Sequence, residues 1–316
     1  MASSICRLET NPPTSELLKI AEKEVGETTT VVQEALVKMR LLLEGSSAMP
    51  KPRALLHCCR TKPTRNSERE HPLLNFGLDD GILTIFLRRC KFYSEDALKL
   101  MKRVAAFKEE NDIIANLDIE DVENIMLNHN VVNIMANRDQ NGRRIIILNL
   151  GGAWNTIEVN GDQIFMLLYL AHIGIMLEPE TQIRGVVVLF DFENFGESQK
   201  TKLTESFAKR IMKFIQNSMP LRLKGVHVVK YAFNIRDIWK PFERHIEEKL
   251  EERLFFHGNV MESLHKHIDP SYLPENYGGT LPRMSYTSAD WLPVMKEIQS
   301  KVVAWNSFGY KKKNSE

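Results

Sequence analysis

Residues 15–44 mix apolar positions with Glu, Lys and Gln at helical spacing, and the period returns in DDGILTIFLRRCKFYSEDALKLMKRVAAFKEEN from residue 79. There Ile82, Ile85 and Phe86 share one face, and Leu98, Met101 and Ala105 or Ala106 continue a second. Ser94 followed by Glu95 and Asp96 reads as a helix start. The first 115 or so residues are therefore expected to be mostly helical. The stretch 45–77 breaks this pattern: Gly45, Pro50, Pro52, Pro63, Pro72 and Gly77 punctuate it, as in a long loop or broken helices. Further on the period changes. RRIIILNL, from Arg143, is a β-prone run preceded by an Asn141-Gly142 turn. Helical sequence is expected at 161–177, a strand at 186–190, helix at 199–217, a strand in KGVHVVKYA, helix at 235–250 and a strand in RLFFHG. Strands alternating with helices predict an α/β sheet covered by helices, without settling the direction of each strand.

The 316 residues can bury a sizeable core, as one large domain or two smaller ones. With 42 basic and 41 acidic side chains, nothing global points to nucleic acid, so any anion-binding surface must come from local clustering. The start, MASSICRLETNPPTSELL, lacks the basic-then-apolar pattern of a secretory signal. Cys6, Cys58, Cys59 and Cys90 make neither a disulfide framework nor a zinc set. A cytoplasmic location, with peripheral membrane association, is the expectation. FMLLYLAHIGIML, residues 165–177, is too short to span a bilayer as a helix and is interrupted by His172.

Three apolar groups stand out in the second half. They are the helix bearing Phe165, Leu168, Tyr169 and His172, the alternating strand positions Val186, Val188 and Phe190, and the stripe Leu203, Phe207, Ile211, Phe214 and Ile215. An ordinary core and the wall of a pocket have the same composition, and periodicity does not separate them. His172 is the polar interruption, suited to one directional hydrogen bond inside an oily cavity, to a buried backbone group, or to the wet face of the helix. Arg222 and Lys224, two apart, project together if extended; Lys249 and Arg253, four apart, share a face if helical. Brought together, these pairs would form a phosphate-binding surface, although Glu247, Glu248, Glu251 and Glu252 flank the second pair. Asp191, Glu193 and His257 sit at strand ends, where open α/β folds often place chemistry. Yet no HExxH, G-x-S-x-G, P-loop or dinucleotide motif is present. His265 and His267 are two apart, a poor pair for a metal, and Gly278-Gly279 reads as a sharp turn.

ILTIFLRRCKFYSEDALKLM, GVVVLFDFENFG, MPLRLKGVHVV, KLEERLFFHGN and LPENYGG, in this order and separation, resemble successive signatures of the CRAL-TRIO, or Sec14-like, lipid-binding family. The similarity is greatest to alpha-tocopherol transfer protein and its retinaldehyde-binding relatives, and covers roughly residues 15–290. It implies an α/β architecture in which a helical N-terminal region (15–115) precedes a CRAL-TRIO lipid-binding domain (120–285) with a sheet covered by helices and a mobile helical gate; 286–316 is a C-terminal extension. LTESFAKRIMKFIQ resembles that gate, with Leu203, Phe207, Ile211, Phe214 and Ile215 facing the ligand. The implied pocket comprises Phe165, Leu168, His172, Val186, Val188, Phe190, Phe214, Ile215, Leu221 and Val226. Positions matching Leu168 and His172 are serines in the tocopherol carrier, so pocket volume and polar recognition should differ. Arg222, Lys224, Lys249 and Arg253 match the basic positions with which that carrier meets phosphoinositide headgroups.

The resemblance implies a noncatalytic carrier without cofactor or metal. It would bind a small hydrophobic ligand such as a retinoid, tocopherol or carotenoid and exchange it at an anionic, phosphoinositide-containing membrane. The alternatives are phosphatidylinositol or phospholipid exchange, a lipid-regulated signalling adaptor, and an enzyme using Asp191, Glu193 and His257.

Overall fold

The computed structural model describes residues 5–45, 74–231 and 235–310, with backbone alone at 235–237. Most of the 45–77 stretch, Cys58, Cys59 and the lysine-rich tail fall outside these residues. The expected helix at 15–44 is two helices, α1 (Ser15–Val25) and α2 (Thr29–Gly45). Gly26 separates them at φ 76°, a left-handed conformation that glycine enters without a Cβ penalty. Strand β1 (Leu74–Asn75) leads into α3 (Asp80–Arg89), started by the Asp79 carboxylate, which accepts from the Ile82 N–H at 3.2 Å. Helices α4 (Ser94–Glu109) and α5 (Glu120–Asn128) complete the N-terminal region.

Strands β2 (Val132–Ile134) and β3 (Arg144–Asn149) are antiparallel. Then come α6 (Gly161–Met176), α7 (Pro179–Arg184), β4 (Val186–Asp191), α8 (Glu197–Lys202), α9 (Glu205–Lys213), β5 (Leu223–Val229), α10 (Ile235–Glu243), α11 (Glu248–Glu251) and β6 (Leu254–Gly258). The sheet order is β2-β3-β4-β5-β6, with β3 to β6 parallel. Helices α12 (Met261–His265), α13 (Ser288–Glu297) and α14 (Gln299–Ser307) follow, and β7 (Gly309–Tyr310) pairs antiparallel with β1.

Alternation along the strands divides the core. Ile146, Leu148, Val186, Val188, Phe190, Val226 and Val228 join the larger cluster, with α6, α9 and the N-terminal helices. Ile145, Ile147, Val187, Leu189 and Val229 pack on the other face against Leu264, Ile268, Leu273 and Tyr277. A buried ion network ties the N-terminal segment to this frame. Glu178, before α7, receives Arg144 Nη2 and Nε, Arg138 Nη2 at 3.0 Å, Thr181 Oγ1 at 2.6 Å and the Glu9 N–H at 3.1 Å. Burial would raise the Glu178 carboxyl's pKa, but the Arg144 and Arg138 guanidiniums outweigh it and hold it below the usual range.

Two sequence expectations are amended. The helix expected at 199–217 breaks at Leu203, and Thr204 starts a new helix by accepting from the Phe207 N–H at 3.2 Å. The helix expected at 235–250 is α10 and α11, separated by residues 244–247.

Candidate functional site

The amphipathic helix α9 lies beneath a polar outer surface and continues into a π-helical turn, Phe214–Ser218, closed by the Met219 N–H on the Phe214 carbonyl at 2.9 Å. Such i→i+5 turns are uncommon and recur at functional sites. Four of the five stripe residues are on this unit, and Leu203 ends the preceding helix; all five are buried. Polar contacts hold the unit at its rim. Arg210 meets Asp162 and, at 3.0 Å, Asn111; Lys213 meets Glu110; Arg103 Nε donates to the Asn217 carbonyl at 3.0 Å.

All ten residues of the expected pocket are buried; nine belong to the larger cluster, and His172 packs against it through Phe214. Phe214 is the hub: its ring lies 5.6 Å from Phe165, 5.5 Å from Tyr169 and 5.1 Å from His172, centroid to centroid. Phe107, from α4, completes the wall at 5.7 Å. Sequence reading left out Phe107 and Trp305, because only tertiary docking brings α4 and α14 against α6.

His172 is fully buried, and neither ring nitrogen makes a well-formed hydrogen bond. Burial pushes its pKa down to about 3, opposed only in part by the Tyr169 backbone. The ring is thus neutral at physiological pH. Since the folded value lies below the ordinary 6.5, the neutral ring is free of penalty above pH 6.5, and stability is lost as pH falls toward 3. At pH 5 the loss is about 2 kcal/mol. Urea titrations should therefore show wild type losing about that much more than His172→Leu between pH 7 and 5; parallel losses would contradict a neutral buried imidazole.

The basic quartet divides. Arg222 and Lys224 both face Glu24 of α1, at 2.8 and 3.6 Å. Burial would raise the Glu24 pKa, but Arg222, Lys224 and Arg184 hold it below the usual value. Lys249 and Arg253 are exposed and line a cleft of about 600 Å³ together with Arg89, Lys99 and Arg103 of the N-terminal helices. Asp96 and Glu247 are the acids lining that cleft. The Arg89 pKa is lowered first by burial and then by the nearby Arg253, Arg103 and Arg222 charges, and its Nε is buried without a partner. Arg89 thus lies within electrostatic reach of both halves of the quartet. Among the described residues, none of the flanking glutamates forms an ion pair with Lys249 or Arg253.

The candidate acid and base residues are not assembled. Asp191 is paired with Lys230 at 3.0 Å and accepts from the Tyr277 hydroxyl at 3.0 Å; Glu193 pairs with Lys230 at 2.9 Å. His257 instead bonds His227 and Ser263, each at 2.9 Å. Among the described residues no cluster of three or more His, Cys, Asp or Glu is arranged to hold a metal. Gly279 is structural: a Cβ there would come 1.9 Å from the Leu273 carbonyl oxygen. No helix among the described residues is long and apolar enough to cross a membrane.

The family model described as "CRAL/TRIO domain" matches residues 128–279. Clavesin-1 of Rattus norvegicus is 31% identical over 216 residues, covering 67% of this chain and 60% of its own length. Clavesin-2 of Homo sapiens is 30% identical over 215 residues, covering 67% and 65%. The chain thus spans about 60% of the length of the clavesin-1 relative it matches. The crystal structure of Sfh5 overlaps 64% of this chain and 73% of its own at a TM-score of 0.45 and 15% identity, too remote to bear on the site.

Proposed function

The chain belongs to the CRAL/TRIO lipid-binding family, and from that premise we propose that it is a noncatalytic carrier that holds one hydrophobic molecule behind α9 and exchanges it at membranes. One observation carries this reading: His172 is a buried polar group enclosed by Tyr169, Phe214 and Trp305, and neither ring nitrogen makes a well-formed hydrogen bond. A buried polar group without a partner costs stability, so its retention fits a ligand that supplies the missing hydrogen bond. The aromatic surroundings would supply affinity and His172 orientation, for a neutral ligand of the retinoid, tocopherol or carotenoid class. Ligand entry requires α9 to swing outward, breaking its rim contacts, and a membrane can cover the stripe this exposes. Loading from vesicles tests the reading: wild type should extract an apolar probe such as retinol, and a disulfide clamping α9 to α6 should stop both loading and release. Undiminished exchange by the clamped protein would rule out α9 as the gate.

The quartet, extended by Arg89, Lys99 and Arg103, is proposed as the site that meets anionic headgroups, phosphoinositides above all, on a cytoplasmic membrane face. Each basic group near an anionic surface contributes about 1 kcal/mol. Lys249→Gln with Arg253→Gln should therefore weaken binding to phosphoinositide vesicles roughly 30-fold. Glu24→Gln should strengthen it by releasing Arg222 and Lys224 from an internal carboxylate. Flotation assays read both, and unchanged binding by the double variant would remove the cleft from the membrane contact. Phospholipid exchange remains the second reading, because the same cleft suits a phosphorylated headgroup; phospholipid retained inside the purified protein would favour it.

A further inference from the structure

Trp305 belongs to α14, outside the residues expected from the sequence, yet its ring lies 6.3 Å from His172 and stacks on Phe86 at 6.1 Å. Its indole N–H donates to the Tyr169 hydroxyl oxygen at 2.9 Å. A phenol O–H is conjugated with its ring, so its proton favours one of two in-plane positions. An N–H engaging the oxygen from one side leaves the proton the other. No acceptor for that proton is present among the described residues. Tyr169 and His172, one turn apart on α6 with rings 5.8 Å apart, thus carry uncommitted hydrogen-bonding capacity inside an apolar wall.

Trp305 is held in turn by Lys108. That amine, on a buried side chain whose pKa burial pushes down to about 7, donates to the carbonyls of Trp305 at 2.6 Å, Asn306 at 3.0 Å and Phe308. These carbonyls lie at the C-terminal end of α14, where the last acceptors find no N–H donor within the helix itself. Phe308 stacks on Phe76 at 5.9 Å, and the following residues pair with β1, so the end of α14 is pinned on both sides.

We propose that Trp305 is a positioning residue for ligand recognition: it commits the Tyr169 hydroxyl to donate, so that the site selects an apolar molecule whose polar end accepts a hydrogen bond. This rests on the carrier reading. An ether, carbonyl or alcohol oxygen meets the requirement. A pure hydrocarbon leaves the phenol proton and both His172 nitrogens unpaired, and a carboxylate would enter charged among aromatic rings, at a large desolvation cost.

The probes are hexadecyl methyl ether, which only accepts, and heptadecane, which does neither. Full-length protein is loaded from neutral vesicles, re-isolated and assayed for each by mass spectrometry. Wild type should retain the ether over the hydrocarbon by about fivefold, the worth of one net hydrogen bond. Trp305→Phe keeps a ring among the aromatics but removes the N–H that fixes the hydroxyl, so the phenol proton can take either in-plane position, and the ratio should fall while both probes still load. Tyr169→Phe should do the same with Trp305 intact, which keeps the test open if the tryptophan variant fails to fold. Loading of both probes reduced equally, with the ratio unchanged in both variants, would overturn the inference and leave Trp305 a packing residue. Wild type loading neither probe would overturn the carrier reading itself, and this inference with it.

Discussion

Phe214→Ala is expected to destabilise the ligand-free protein by roughly 3–5 kcal/mol, the range for truncating a large buried aromatic. The ring is 1% exposed and touches Phe107, Phe165, Tyr169 and His172, from two different helices. Its neighbours are themselves large and fixed on α4 and α6, so they close the void only in part. The functional consequence separates Phe214 from other core positions. If the void lies where the ligand sits, a bound apolar molecule fills it, and the loaded variant should lose far less stability than the delipidated one. Thermal unfolding of both forms, beside wild type, reads the difference. Equal losses in the two forms would place Phe214 away from the ligand, and a loss below about 1 kcal/mol would contradict the packing itself.

A second large effect is expected at Glu178. Glu178→Ala leaves the Arg144 guanidinium, fully buried, without its main counter-ion, while Glu9 retains one contact at 3.4 Å. Removing one partner of a buried pair costs about 3–5 kcal/mol, because the other charge stays buried uncompensated. The transition should fall by roughly 5–8 °C. Arg138 and the Glu9 N–H also lose Glu178, so the N-terminal segment should loosen from the sheet end, seen as faster hydrogen exchange around residues 7–12. A loss under 1 kcal/mol would mean that water reaches this network.

The parts of this molecule that announce themselves in the chain are those whose signal is local. The strand 186–190 is visible as an unbroken apolar run because it is covered on both faces. The stripe through Phe207 and Ile211 was visible because α9 is amphipathic, and His172 because it interrupts an apolar run. By contrast, β2 is three residues long and buried throughout, leaving neither length nor alternation to read. The break at Leu203 depends on the Thr204 cap, a single residue inside an otherwise continuous helical pattern. The pocket and gate residues were legible through similarity to a family rather than through any local pattern, and all but His172 belong to one cluster.

The less legible half of the site is built from distant segments. Arg89, Lys99 and Arg103 sit on helices that read as ordinary amphipathic ones, and their placement beside Lys249 and Arg253 arises from packing of α4 against α3 and against the π-helical turn Phe214–Ser218. Glu24 was equally unremarkable in sequence, yet it holds both Arg222 and Lys224. Trp305 lies in a helix with scarcely any apolar periodicity, so nothing local links it to Tyr169.

Mass spectrometry of the small molecules retained by gently purified full-length protein, extracted beside a matched protein blank, tests the carrier reading most directly. One neutral apolar molecule enriched near one per chain, carrying an oxygen that can face His172, is the expected result. No enriched lipid, both from the native source and after incubation with vesicles of that source's total lipid, would contradict an internal lipid site.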